Sequence, residues 1–260
     1  MLIIKSKNSS IIALISVLIL ASSCVSKKNV LYLQDVNTDS ERQINYTENK
    51  IQINDILSVR ISSLYPEAAI PYNSKNIISP NSSLIETIKL QGNLVSNNGS
   101  IILPILGEVK AIGKSTTELE ADIKNTLETL EYLKNPVVSI RVLNSKITIL
   151  GEVNTPGTYN ITEQNVSLLQ SLGYAGDLTI NGNRKDILIV REINGKQITK
   201  HIDLTKSDWF DSSFYFVKQN DVIIINPNNA KIKSSGFIGN FNSLLSITSI
   251  ILSAVILFAK

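Results

Sequence analysis

The chain has 260 residues, of which 43% are hydrophobic and 18% charged, enough for one or two domains with their own cores. Its 25 basic and 22 acidic residues nearly balance, which excludes a nucleic-acid binder that works through bulk positive charge. One Cys and one His exclude a disulfide framework, a structural zinc site and most His-dependent catalysis.

The N-terminus has the pattern of a secretory signal peptide. Two lysines precede an apolar run over residues 11–21, which is too short to span a bilayer because a spanning helix needs about 20 residues. Small residues follow, and then the single cysteine, Cys24. This junction resembles a bacterial lipobox, which implies cleavage after residues 1–23 and a lipid on Cys24. The alternative is a buried free cysteine in an ordinary signal peptide.

The residue after the cysteine is Val25 rather than Asp, which favours the outer membrane over the inner one in bacterial lipoproteins. Residues 24–49 are polar and predict a tether that leads into the first domain.

Residues 50–145 predict a first α/β unit. Residues 51–62 alternate as a strand does, with a turn-like Asn54-Asp55 near the start. Ser115 and Glu118 have the spacing of a capping box and begin the clearest helix, which Asn135-Pro136 would stop before a strand over residues 137–143. The apolar stripe of this helix is Leu119, Ile123, Leu127, Leu130 and Leu133.

Residues 146–230 predict a second unit, in which two hairpins flank a short helix over residues 166–175. Pro156-Gly157 turns the first hairpin and Asn194-Gly195 the second, and an apolar strand over residues 222–225 closes the unit. A small sheet of hairpins crossed by one helix is a β-grasp pattern. The fold class is therefore predicted as α+β.

Three segments resemble the outer-membrane polysaccharide export (Wza-type) family. Residues 99–109 (GSIILPILGEV) fit the motif of its polysaccharide export domain, whereas residues 151–157 (GEVNTPG) and 219–223 (QNDVI) fit its sugar-binding-like β-grasp (SLBB) module. Asn54 and Asn220 stand where the family has Gly, and Asn tolerates the left-handed backbone of such turns. The resemblance implies an export domain over residues 50–145 and an SLBB domain over residues 146–230.

The candidate chemistry is sparse. Trp209 and Phe210 lie between two aspartates, and aromatic rings bracketed by carboxylates can hold sugars, although such rings fill cores more often. Phosphate loops, metal-ligand sets and paired catalytic carboxylates do not stand out, so neither an enzyme nor a cofactor is expected.

Residues 237–259 carry no charge and would reach about 34 Å as a helix, enough to cross a bilayer. Asn242, Ser246, Ser249 and Ser253 would fall within about 60° of one another on its surface. The simpler interpretation is a tail anchor whose small residues pack on another helix. The resemblance favours a ring of such helices with the polar stripe lining a pore.

Together these patterns predict a lipid-anchored outer-membrane protein with its domains in the periplasm, which exports capsular or extracellular polysaccharide. The resemblance implies a homo-oligomeric ring, an octamer, with an inner-membrane polysaccharide co-polymerase or tyrosine kinase as partner. A competing hypothesis is a periplasmic ligand- or cell-wall-binding lipoprotein anchored at both ends. A third, a glycan hydrolase or transferase, lacks a catalytic set.

Overall fold

The computed structural model describes residues 27–36, 41–73, 91–193, 195–235, 245–247, 249, 250 and 253. The described chain has two hydrophobic cores, one built by residues 51–140 and the other by residues 147–225. Both combine helix and strand, so the predicted mixture of α and β structure is confirmed. We call them the first and second domains.

The first domain is a three-stranded antiparallel sheet covered by a helix and a hairpin. Strand β1 lies at its centre, between β2 and β5, and β3 pairs with β4. The elements are β1 (Ile56–Ser62), α1 (Pro66–Ala69), β2 (Asn93–Leu94), β3 (Ser100–Leu103), β4 (Gly107–Lys110), α2 (Thr116–Thr129) and β5 (Val137–Val142). The strand predicted from residue 51 begins at Ile56 instead, because Asn54 has a φ of 69° and turns the chain.

Helix α2 begins with the predicted capping box. The Ser115 hydroxyl accepts a hydrogen bond from the Glu118 N–H at 3.1 Å, and the Glu118 carboxylate accepts one from the Ser115 N–H at 2.6 Å. The helix ends earlier than predicted, since Glu131 has a φ of 58° and the N–H of Tyr132 returns to the Leu127 carbonyl in a Schellman motif. Leu130, predicted to lie on the apolar stripe, is therefore 51% exposed.

The second domain is a five-stranded mixed sheet in the order β10-β9-β12-β6-β7. Both predicted hairpins form, although Asn194 of the second lies outside the described residues. The elements are β6 (Lys146–Gly151), β7 (Gly157–Asn160), β8 (Val166–Ser167), α3 (Leu168–Tyr174), β9 (Gly182–Ile193), β10 (Lys196–Ile202), β11 (Phe216–Val217), β12 (Val222–Pro227) and α4 (Asn229–Ser235). Strand β12 comes last in the sequence yet lies in the middle, parallel to β6 and antiparallel to β9.

A buried ion pair organises the loop that precedes β12. The Arg191 guanidinium contacts the Asp221 carboxylate at 2.6 and 2.8 Å, with both side chains almost fully buried. The same guanidinium donates to the carbonyls of Ser213 and Phe216 and lies 4.4 Å from the ring centroid of Phe214. Arg191 therefore ties the aromatic loop over residues 213–217 to the centre of the sheet.

Strands β1 and β12 start with the same turn. In the first, residues 52–55, the Asp55 carboxylate accepts from the N–H of Gln52 at 2.7 Å; in the second, residues 218–221, Asp221 accepts from the N–H of Lys218 at 2.8 Å. Asn54 and Asn220 occupy the third position of these turns with φ values of 69° and 64°. The left-handed conformation that the sequence predicts for both asparagines is confirmed.

These two turns join the domains. The Gln219 side-chain amide donates to both carboxylate oxygens of Asp55, at 2.9 and 3.2 Å, and the Asn220 amide donates to the Gln52 side chain at 3.0 Å. Asp55 is only 3% exposed, and among the described residues it has no ion-pair partner. Burial raises the pKa of its carboxyl, against the opposing effect of these hydrogen bonds.

Candidate functional site

Most of the described residues between 31 and 49 lie against the second domain instead of forming a loose tether. We call residues 31–36 and 41–49 the N-terminal strap. The N–H groups of Leu33 and Gln34 donate to the carbonyls of Leu204 and Thr205 at 3.0 and 2.7 Å. The Asp35 carboxylate accepts from both the N–H and the hydroxyl of Ser207, each at 3.0 Å. The Ser207 N–H lowers the pKa of Asp35, so that this carboxyl is ionised at neutral pH.

Tyr32 fixes the start of the strap. Its hydroxyl donates to the Asp177 carboxylate at 2.5 Å, and the Arg184 guanidinium lies 5.3 Å from its ring centroid. Partial burial and the Asp177 carboxylate together raise the pKa of the Tyr32 hydroxyl. Arg184 in turn donates to the carbonyls of Leu178 and Thr179, which shapes the loop over residues 177–182.

The loop over residues 177–182 also contacts the C-terminal end of the second domain. The N–H of Asn228, directly before α4, donates to the Asn181 carbonyl at 2.7 Å, and the Asn228 side chain donates to the Ile180 carbonyl at 3.0 Å. The strap, which follows Cys24 in sequence, and α4, which precedes residues 237–259, therefore meet at one side of the second domain.

A groove of about 600 Å³ lies between the strap and residues 207–216. The Arg42 guanidinium is on its strap side, where it donates to the Ser207 carbonyl at 3.2 Å and contacts the Asp211 carboxylate at 3.3 Å. The amide side chains of Gln43 and Asn45 also line the groove, are exposed, and have no hydrogen-bond partner within the described part of the chain. These amides are available to a ligand.

The opposite wall is aromatic. Phe210, Tyr215 and Phe216 line it, with ring centroids 5.7 Å apart for the first pair and 4.8 Å for the second. Arg42 lies 5.5 Å from the Phe210 centroid, and Tyr46 of the strap stacks on Phe216 at 5.4 Å. The strap is thus held to the groove by a cation–π contact and a ring stack.

The two neighbouring aromatic residues that the sequence singles out, Trp209 and Phe210, lie in different environments. Trp209 is 4% exposed, and its indole N–H donates to the Lys206 carbonyl at 2.8 Å, so it lies in the core. Phe210 is half-buried and faces the groove, edge to face with Trp209 at 4.7 Å. Glycan contact remains a prediction, and of the two rings Phe210 is the one that a ligand in the groove could reach.

A second cleft, of about 590 Å³, lies between the two domains. Its lining includes Arg141 and Glu120 from the first domain and Asn160 and Glu163 from the second. The Glu120 carboxylate is already used, because it accepts from the Ile140 N–H on the open edge of β5 at 2.7 Å. No group of three His, Cys, Asp or Glu side chains that could hold a metal ion occurs among the described residues.

The remaining predicted site residues lie at the chain ends. Cys24 and Asn242 are outside the described residues. Ser246, Ser249 and Ser253 are helical, and the hydroxyls of Ser249 and Ser253 donate to the carbonyls of Ser246 and Ser249 at 2.9 and 2.8 Å. The part of the chain that the structure describes includes no helix both long and apolar enough to span a membrane.

Residues 44–143 match the family described as polysaccharide biosynthesis/export protein. The resemblance to polysaccharide export proteins is confirmed. The matched residues include the first domain, with the residue 99–109 motif in its β3–β4 hairpin, and extend back into the strap.

The chain is also similar to curated proteins. The chain is 27% identical over 187 residues to the EPS I polysaccharide export outer membrane protein EpsA of Ralstonia solanacearum, which covers 70% of this chain and 48% of that protein. It is 28% identical over 183 residues to the protein of the same name in Ralstonia nicotianae, with 68% and 47% covered. The exopolysaccharide production protein ExoF of Rhizobium meliloti is 32% identical over 94 residues, 35% of this chain and 22% of ExoF. The chain spans about half the length of the two export proteins.

Sequence reasoning missed the strap side of the groove. Arg42, Gln43, Asn45 and Tyr46 belong to a polar segment without periodicity, and the residues that Arg42 and Tyr46 contact lie more than 160 residues away in the sequence. Phe210 and the aromatic run over residues 214–216 were the available signals, and they mark the opposite wall.

Proposed function

We propose that this chain is an outer-membrane lipoprotein subunit of an oligomeric channel that exports capsular or extracellular polysaccharide. The match of residues 44–143 to the export family carries the proposal. Two relatives that are named outer membrane export proteins support the same location for this chain. Because the chain spans about half the length of these relatives, its cargo and partners are part of the proposal and are not taken over from the relatives.

We assign the second domain to the SLBB β-grasp type. Its five-stranded mixed sheet, with the parallel pair β12–β6 and the helix α3, supports this assignment. Gly151, the first residue of the residue 151–157 motif, also supports the assignment. Strands β6 and β12 approach so closely there that a Cβ on Gly151 would lie 2.0 Å from the Ile225 carbonyl oxygen.

The membrane part of the proposal rests on the two chain ends. A lipid on Cys24 and a helix over residues 237–259 would both enter the outer membrane, and the meeting of strap and α4 at one side of the second domain favours this arrangement. Identical subunits, eight by resemblance, would form a ring whose helices line the exit with Asn242, Ser246, Ser249 and Ser253. An uncharged polar lumen would let a hydrated glycan slide without holding it. The inner-membrane partner would be a polysaccharide co-polymerase or tyrosine kinase.

Deletion of the gene tests export directly. The deletion strain should lose surface or secreted polysaccharide while the cytoplasmic enzymes of its synthesis stay active. Normal polysaccharide together with loss of small-ligand uptake would favour the periplasmic binding lipoprotein instead.

Two variants, each with one cysteine added to the chain lipidated at Cys24, test the pore. Ser249→Cys should react with a water-soluble thiol reagent, whereas Ile251→Cys, about 200° round a helix from it, should face lipid and react poorly. Equal reactivity at the two positions would contradict the pore. The size of the full chain in mild detergent, compared with a chain that ends at Gly236, tests whether residues 237–260 hold the ring together.

A further inference from the structure

The groove between the strap and residues 207–216 has the size of a ligand site. Its volume of about 600 Å³ falls within the range of about 300–1,000 Å³ that is typical of clefts for small ligands. One wall is formed by the strap, where Tyr46 stacks on Phe216, and the other by the aromatic loop whose carbonyls Arg191 binds, so contacts within the protein hold both walls.

The groove combines the two surfaces that a sugar ring needs. The C–H face of a pyranose packs on aromatic rings, which Phe210, Tyr215 and Phe216 provide. Its hydroxyls need polar partners at the edge of the ring, and the amides of Gln43 and Asn45 can both donate and accept. The Asp211 side chain, 75% exposed, adds a charged acceptor.

The charge of the groove argues against an anionic ligand. Among the described residues that line the groove, Asp35 and Asp211 are the acids and Arg42 is the one cation, which already contacts Asp211. Phosphate groups or a densely acidic glycan would meet a net negative site, whereas a neutral glycan would not.

We propose that this groove binds a short stretch of neutral glycan. This proposal rests on the export function and adds to it a place where each subunit touches its cargo. The glycan would pack against Phe210, Tyr215 and Phe216, beside the ring surfaces that Arg42 and Tyr46 already cover, and its hydroxyls would donate hydrogen bonds to the Asp211 carboxylate and to the side-chain oxygens of the strap amides. Because the strap follows the predicted lipid site at Cys24, the contact would lie on the membrane side of the second domain.

Trp209 offers a direct readout of binding. It is the single tryptophan of the chain and lies 4.7 Å from Phe210 and 6.0 Å from Tyr215. The full chain in detergent is titrated with cellotetraose, maltotetraose and mannotetraose up to about 10 mM, which covers dissociation constants in the millimolar range. At least one should change the Trp209 emission saturably, and tetragalacturonate should bind about tenfold more weakly at low salt.

Matched variants locate the site. Asn45→Ala and Asp211→Ala should each weaken the tetrasaccharide about fivefold or more and leave the urea midpoint unchanged. Asp208→Ala, an exposed aspartate on the same turn that does not line the groove, and Gln197→Ala on β10 should bind as the wild type does.

Three results would overturn the proposal: no saturable change with any neutral tetrasaccharide, equal binding by the Asn45→Ala and Asp208→Ala variants, or an equal response to a tetra-alanine peptide. The export assay is independent of this titration. A deletion strain that still exports polysaccharide rejects the proposed function, whereas wild-type protein that binds none of the sugars rejects the groove alone.

Discussion

Gly151 lies where β6 approaches β12, and its backbone has a φ of 94°. A Cβ there would lie 2.0 Å from the Ile225 carbonyl oxygen, so the backbone would have to shift. We expect Gly151→Ala to lower the free energy of unfolding by about 2–4 kcal/mol, since alanine adds both a clash and a left-handed strain. Urea unfolding followed by circular dichroism measures the change.

Gly173 provides the control. It lies within α3, has no positive φ, and a Cβ there would meet no atom within 4 Å. Gly173→Ala should be neutral or stabilise by up to about 1 kcal/mol, because alanine favours a helix. Equal losses in the two variants would contradict the close approach of β6 and β12.

Asp55 makes the junction between the domains sensitive to pH. Burial raises the pKa of its carboxyl above the ordinary value of 3.8. Because the carboxyl binds its proton more tightly in the folded state, its contribution to the free energy of unfolding is fully present below the pKa of the unfolded chain. That contribution is lost as the pH rises through the pKa of the folded state. The wild type should therefore gain stability relative to Asp55→Asn as pH falls from 7 towards 4.

The difference between the two proteins is the quantity to measure, by urea unfolding at each pH. Asp35, Glu48 and Glu118 have lowered pKa values, so their protonation on acidification lowers the free energy of unfolding. This loss is the same in the wild type and in Asp55→Asn, and it cancels in the difference. A difference that does not vary between pH 4 and 7 would contradict the raised pKa of Asp55.

At the scale of elements, the capping box is the clearest determinant of α2. Ser115→Ala removes the hydroxyl that accepts the Glu118 N–H, and we expect it to reduce stability by about 1 kcal/mol. Thr129→Ala, at the exposed last residue of the same helix, should leave stability unchanged within about 0.5 kcal/mol. Thermal unfolding of both variants tests this, and equal midpoints would contradict the role of the cap.

Elements specified by neighbouring residues were predictable. The cap of α2 needs only Ser115 and Glu118, and each hairpin is marked by its turn. The end of α2 was not predictable, because it depends on Glu131 adopting the left-handed conformation that usually marks Gly. The groove was still less accessible to sequence reasoning, since the Arg42–Asp211 contact joins residues 169 apart and no local pattern encodes it.

At the scale of the whole molecule, the strap sets how far the second domain can stand from a lipid on Cys24. Tyr32 comes eight positions after Cys24, a span of at most about 29 Å of extended chain. We expect the Cys24→Ser protein to carry no fatty-acid label and to keep its signal peptide uncleaved. Ser22→Ala should keep the label, because alanine is also a small residue and suits the cleavage site. Metabolic labelling tests both, and a labelled Cys24→Ser protein would contradict lipidation at this site.

The position of β12 has a consequence for how the protein is made. The hairpins β6–β7 and β9–β10 are complete once residue 202 has left the ribosome, but the strand that joins them arrives with residues 222–227. Gln219, which closes the junction on Asp55, arrives just before it. A chain that emerges N-terminus first therefore completes the sheet of the second domain, and its junction with the first, only when its last quarter has been made, whereas the core of the first domain over residues 51–140 is complete well before.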